Sequence, residues 1–169
     1  MSIRLHSHCS KRLGVPLSQM LSECFFQRMF ETDCKETKSG KAKLNLSQEG
    51  LKAFLEFVYC LRIDTAKEDP KIALELLEFA HEKQISELEE GIKSIVVEKP
   101  DDWLSLNEGL QLFLFSLKLE SQGYSDLKKK AVKAIKSKRL ELKQSSVFQK
   151  LLESNPKCVT EFVCSCLEF

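Results

Sequence analysis

Glycine is scarce in this chain, six of 169 residues. No GxGxxG or Walker pattern occurs, so a loop of backbone amides cradling a phosphate is excluded. Long apolar runs are missing too: none approaches the roughly 18–20 residues needed to span a bilayer. Met1 to Leu21 lacks the apolar stretch of a conventional secretory leader. Neither sign of charge dominates. The formal net charge is +1, and glutamates offset the lysine-rich stretches, so there is no overall basic field for nucleic acid. No CxxC pair occurs among the seven cysteines, Cys9, Cys24, Cys34, Cys60, Cys158, Cys164 and Cys166. An odd number of cysteines without a leader points to free thiols in a reducing compartment. The expectation is an intracellular protein, cytoplasmic or nuclear, with no membrane and no nucleic-acid partner. A microbial chain delivered into a host cell would look the same.

The residues present suffice for a core. Hydrophobic residues make up 43% and charged residues 30%, which argues against global disorder. The length suits one domain, or a core of roughly 100 residues with a helical appendage.

Alternation of Ile3 and Leu5 predicts a strand over 2–8, and Gly14 and Pro16 punctuate the next segment. Met20, Leu21, Cys24, Phe25, Met29 and Phe30 recur at helical spacing and predict a helix over 17–30. Residues 31–43 read as a polar loop and Lys43 to Leu46 as a short strand. Ser47 is a suitable N-cap for a helix carrying Leu51, Phe54, Leu55, Val58 and Tyr59 to about Leu61. Residues 62–69 read as a connection. Pro70 opens a helix where its missing N–H costs nothing, and another helix runs from Ser86 through Val96. Lys99-Pro100-Asp101-Asp102 is the best boundary: Pro100 stops the preceding helix and the aspartates suit a cap for the next. Helices are expected at 106–120, 125–138, 145–153 and from Asn155-Pro156 to the end. No solenoid period is visible.

Two stretches carry a family likeness. Phe26, Met29, Phe30 and Glu31, then Lys43 to Ser47, then Leu51 to Tyr59, resemble the BTB/POZ pattern: a phenylalanine-rich helix ending in Met-Phe, a short strand, and a helix ending in an aromatic triplet. Leu76, Leu77, Phe79, Ala80 and Leu88 look like that family's helix pair. Leu112 to Leu119, Leu127 to Ile135 and Val147 to Val163 are similar to the BACK-like helices that follow the BTB core in some members. The resemblance spans about residues 12–167 and rests on the order and separation of the motifs.

It implies an α+β fold: a BTB/POZ-like core, a small sheet covered by helices, over 1–99, and an all-helical BACK-like extension over 100–169. It also implies a non-enzymatic adaptor that binds a cullin and presents substrate to a ubiquitin ligase. In cullin-binding members the loop after the Met-Phe helix carries an apolar residue, any residue, then glutamate, here Cys34 to Glu36. The apolar group would fill a partner pocket and the carboxylate would accept hydrogen bonds. Cys34 is smaller than the usual methionine or leucine. The family's dimer helix has no counterpart, Val15 and Pro16 stand where a histidine is usual, and no substrate-receptor segment is visible. The alternative is a BTB-type association module that homo- or hetero-oligomerises, or occupies a partner as a competitor, without binding a cullin.

The candidate partner-binding residues are therefore Phe26, Met29, Phe30, Cys34, Glu36 and Tyr59, with Phe148, Leu151 and Leu152 on a second surface beside Val159 and Phe162. Each has a plainer counterpart. A Met/Phe stripe at helical spacing packs in a core, a charged loop stays solvated, and the C-terminal pattern equally suits intramolecular helix packing. His6, His8 and Cys9 offer metal-donor types but no fourth ligand at sensible spacing. Cys164 and Cys166 are one residue apart, poor spacing for a redox or metal pair. His81 falls on an amphipathic helix with nothing to orient it as a base for a thiol. No cofactor, metal or catalytic residue is expected.

Overall fold

The computed structural model describes residues 2–4, 41–119, 123–142, 144–154 and 156–168. The chain divides into two compact units, 1–91 and 92–169.

In the first unit β1 (Ser2–Arg4) and β2 (Lys41–Lys43) form one antiparallel ladder, with Ser2 opposite Lys43 and Ile3 opposite Ala42. Everything described beyond it is helix and connection. α1 (Gln48–Cys60) starts as its sequence dictates: Ser47 is extended and its hydroxyl accepts from the Gly50 amide at 2.9 Å. Its inner face, Leu51, Ala53 and Phe54, is buried. It stops at Leu61, which takes the left-handed conformation (φ 56°) and donates to the Phe57 carbonyl.

α2 (Asp64–Glu68) and α3 (Pro70–Lys83) come next. Asp69 caps α3 by accepting from the Lys71 amide at 2.8 Å, and Pro70 takes the first helical position. Seven residues of α3 are buried: Ile72, Ala73, Leu74, Leu76, Leu77, Phe79 and Ala80. Phe54 and Phe79 meet edge to face, ring centres 4.9 Å apart. Burying either ring is worth about 2–3 kcal/mol before any edge-to-face gain. The end of α3 is a Schellman turn. Gln84 sits left-handed (φ 57°), the Ile85 amide donates to the Ala80 carbonyl at 2.8 Å, and Gln84 donates to His81 at 3.2 Å. α4 (Ser86–Glu98) begins directly after it.

In the second unit α5 (Leu106–Lys118) opens on a capping box: Glu108 turns back to accept from the Ser105 amide at 3.1 Å and from its hydroxyl. α6 (Ser125–Ser137) packs along α5. Gly109 permits the close approach, since a Cβ there would lie 3.1 Å from Ile135 Cγ1 and near Ala134. Leu110, Leu112, Phe113, Leu127, Ala131, Val132 and Ile135 fill this core. α7 (Arg139–Leu142), α8 (Ser146–Ser154) and α9 (Pro156–Glu168) complete the unit.

This architecture overturns the α+β expectation and, with it, the BTB/POZ and BACK resemblance. Among the described residues there is no sheet able to underlie helices. A three-residue ladder is about 10 Å long, half the length of the 14-residue α3. The likeness rested on apolar spacing, and a helix-on-helix core demands the same spacing.

Smaller corrections obey the same logic. The strand lies at 41–43 rather than 43–46. Leu44 is buried without strand pairing, and Ser47 is drawn out of register to donate to Glu75 from both amide and hydroxyl. The connection 62–69 contains α2, whose one buried side chain is Ala66. A single alanine leaves no periodicity to read. Asp101 and Asp102 do not cap α5; Ser105 does, while Asp101 pairs with Lys130 at 2.8 Å. The helix expected over 17–30 and the loop over 31–40 lie outside the described residues.

Candidate interaction surfaces

α1 sinks its first two turns into the core and then emerges. Leu55, Phe57 and Val58 are half-buried, and the helix ends on Tyr59, 71% exposed, Cys60, exposed, and Leu61, 40% exposed. The left-handed turn at Leu61 fixes where this apolar end stops, and an ion pair finishes it. Arg62 Nε donates to Asp64 at 2.7 Å, and Lys67 reaches the same carboxylate at 3.3 Å. The Arg62 hydrogen bond, then the one from Lys67, hold the Asp64 carboxyl below its usual range, and Asp64 in turn raises Arg62. Below this end, Glu56 accepts the Thr65 hydroxyl at 2.8 Å and ties α1 to α2. Tyr59 and Leu61 thus leave an apolar end of α1 facing water, rimmed by charge.

Of the second surface drawn from the sequence, Phe162 is internal. Phe162 on α9 is 6% exposed and packs edge to face with Phe113 at 5.3 Å and with Phe148 at 6.0 Å. Phe148 is half-buried and Val159 likewise. These three rings pin α8 and α9 to α5, so packing within the unit accounts for Phe148. The side chains of Leu151 and Leu152 lie outside the described part of α8. Phe26, Met29, Phe30, Cys34 and Glu36 lie outside the described residues, as do His6, His8 and Cys9.

The thiols divide by environment. Cys60 and Cys164 are exposed, and Cys166 is half-buried. Burial pushes the Cys166 thiol up, with Lys136 opposing, the wrong direction for an activated nucleophile. Cys164 and Cys166 are two steps apart on a helix, about 200° around its axis, and so point to different sides. His81 Nδ1 lies 3.4 Å from Glu89. Among the described residues no group of three or more His, Cys, Asp or Glu is placed to hold a metal ion, and no helix is long and apolar enough to cross a membrane.

One feature was hidden by averaging charge over the chain. α6 carries Lys128, Lys129, Lys130, Lys133 and Lys136, with Lys138 and Arg139 just beyond. Its apolar side is taken up by the core, and Lys133, Lys136 and Arg139 are exposed. The run is plain in the sequence, but a net charge of +1 conceals it. Exposed Leu140, Val147 and Val163 also went unforeseen, because helical spacing does not say which apolar residue is left over.

No family model matches the chain, and no curated protein matches it.

Proposed function

We propose that the chain is a protein–protein association module that does no chemistry of its own, with the exposed end of α1 as its contact. The supporting observation is Tyr59, 71% exposed, beside Leu61 at the tip of a helix whose root is locked in the core. A rigid aromatic on an anchored helix loses little side-chain entropy on binding, which is why such residues dominate interface energetics.

Adaptor binding to a cullin is the narrower form of this reading that the sequence suggests. With the family likeness overturned, it rests on Cys34 and Glu36 alone, and the broader association reading is the better supported. Titration calorimetry of the full chain against a cullin N-terminal domain tests the narrower form. Binding that weakens about tenfold or more in Tyr59→Ala, and is lost in Glu36→Lys, supports it. No heat at about 50 µM removes the cullin. The association reading itself fails if no self-association is detected and a Tyr59→Ala chain matches the wild type in every binding assay. A thiol-reactive probe at neutral pH addresses an enzyme using the cysteines: the expected result is slow labelling throughout, slower at half-buried Cys166 than at exposed Cys60 and Cys164.

A further inference from the structure

Charge is segregated along this chain. Between Glu68 and Glu90 eight acidic residues stand against two lysines, a formal −6 with His81 neutral. Between Ser125 and Arg139 six lysines and one arginine stand against one aspartate, a formal +6. The acidic stretch is α2 to α4, with Glu68, Glu78, Glu82, Glu87 and Glu90 exposed. The basic stretch is α6 to the start of α7, with Lys133, Lys136 and Arg139 exposed. Lys130 is committed internally to Asp101 and the Lys99 carbonyl.

From this segregation we infer that a second copy of the chain is the partner of the α6 face: Lys133, Lys136 and Arg139 of one copy meet Glu82, Glu87 and their neighbours on α3 and α4 of the other.

Two observations select this occupant. The exposed residues of the two stretches, Glu68, Glu78, Glu82, Glu87 and Glu90 in one and Lys133, Lys136 and Arg139 in the other, are of opposite sign on one polypeptide, so each copy supplies both halves of the complement. The chain as a whole is near neutral, so copies approach without net repulsion. An anionic membrane fits less well. Leu127, Ala131, Val132, Ala134 and Ile135 are already buried in the core, which leaves α6 no apolar face to insert.

Lysine and glutamate meeting at exposed positions give weak, screened attractions, so the dimer should be loose and salt-sensitive. This inference refines the association reading, and the two can fail separately. Sedimentation equilibrium of the full chain at about 100 µM should show mass above the monomer in about 20 mM salt and the monomer mass in about 500 mM salt, where screening acts within a few ångströms. Lys133→Glu/Lys136→Glu and Glu82→Lys/Glu87→Lys should each stay monomeric at low salt, and mixing the two should restore the higher mass. Circular dichroism confirms that these surface variants keep their helices. A monomer at low salt overturns the inference, including one that is retained on phosphatidylserine vesicles or binds an acidic peptide. So does a dimer that survives both high salt and charge reversal. If that salt-resistant dimer is lost in Tyr59→Ala, the association reading stands without this one.

Discussion

The two units solve one problem with opposite charges. In the first, Glu75 reaches from the middle of α3 to the start of α1 and accepts from the amide and hydroxyl of Ser47. In the second, Lys130 reaches from the middle of α6 to the end of α4 and donates to the Lys99 carbonyl while pairing with Asp101. A carboxylate answers the positive end of a helix and an ammonium the negative end. Each charge is tethered on one helix and used on another, so each locks a crossing as well as satisfying a cap. The difference lies in depth. Lys130 is 8% exposed, whereas Glu75 is half-buried. Water can replace more of what Glu75 does than of what Lys130 does.

The aromatic pairs are where the units should behave alike. Phe54→Ala and Phe113→Ala each empty a fully buried site and should cost about 3–5 kcal/mol, read as a lowered urea midpoint. A much smaller loss at one site would show that its unit collapses around the vacancy. The charged locks should separate the units. Lys130→Met should cost about 2 kcal/mol, since Asp101 and a helix-end carbonyl lose their partner, and Glu75→Gln about 1 kcal/mol. Equal losses in chemical denaturation would refute the argument from depth. Gly50 sharpens the point: an alanine Cβ there would collide with the Glu75 carboxylate. Gly50→Ala should therefore lose the Ser47 contacts instead of gaining helix stability.

A smaller effect of opposite sign is expected at Gln84, which holds a left-handed conformation that glycine adopts without strain. Gln84→Gly should stabilise by about 0.5 kcal/mol, seen as a raised thermal midpoint. The smallest concerns Asp64, whose carboxyl Arg62 and Lys67 hold below its usual range. A group lowered in the folded state adds stability above its unfolded pKa and loses it as pH falls through the lowered value. Thermal midpoints tracked from about pH 6 down to about pH 3 should fall slightly less in Asp64→Asn than in the wild type.

The sequence made the helices legible wherever side chains act on their own neighbours. Ser47, Pro70 and Pro156 mark starts and Pro100 a stop, because helix ends are settled between residues close in sequence. It was silent where the partner is remote. Ser105 and Glu108 form the capping box directly before α5, while Asp101, farther upstream beside Pro100, serves Lys130 29 residues away. α2 was missed because Ala66 alone carries its burial. The order of apolar motifs suits a sheet under helices and a helix-on-helix core alike, because apolar spacing constrains faces, not folds. Of the candidate site, Tyr59 stands on the surface and Phe148 packs against Phe162. The helical period contains both outcomes and cannot choose between them.

The placement of three rings has a consequence for how this molecule can be watched. Trp103 is the chain's one tryptophan, and it lies in the second unit with the Lys99 ammonium 5.7 Å from its ring. Tyr124, 1% exposed under Lys93, belongs there too. The first unit holds only Tyr59, already facing water. Indole emission therefore reports one half of the chain and is blind to the other. A melting curve taken by fluorescence and one taken by backbone dichroism are measurements on different parts of the protein, and they will coincide only if the two halves melt together.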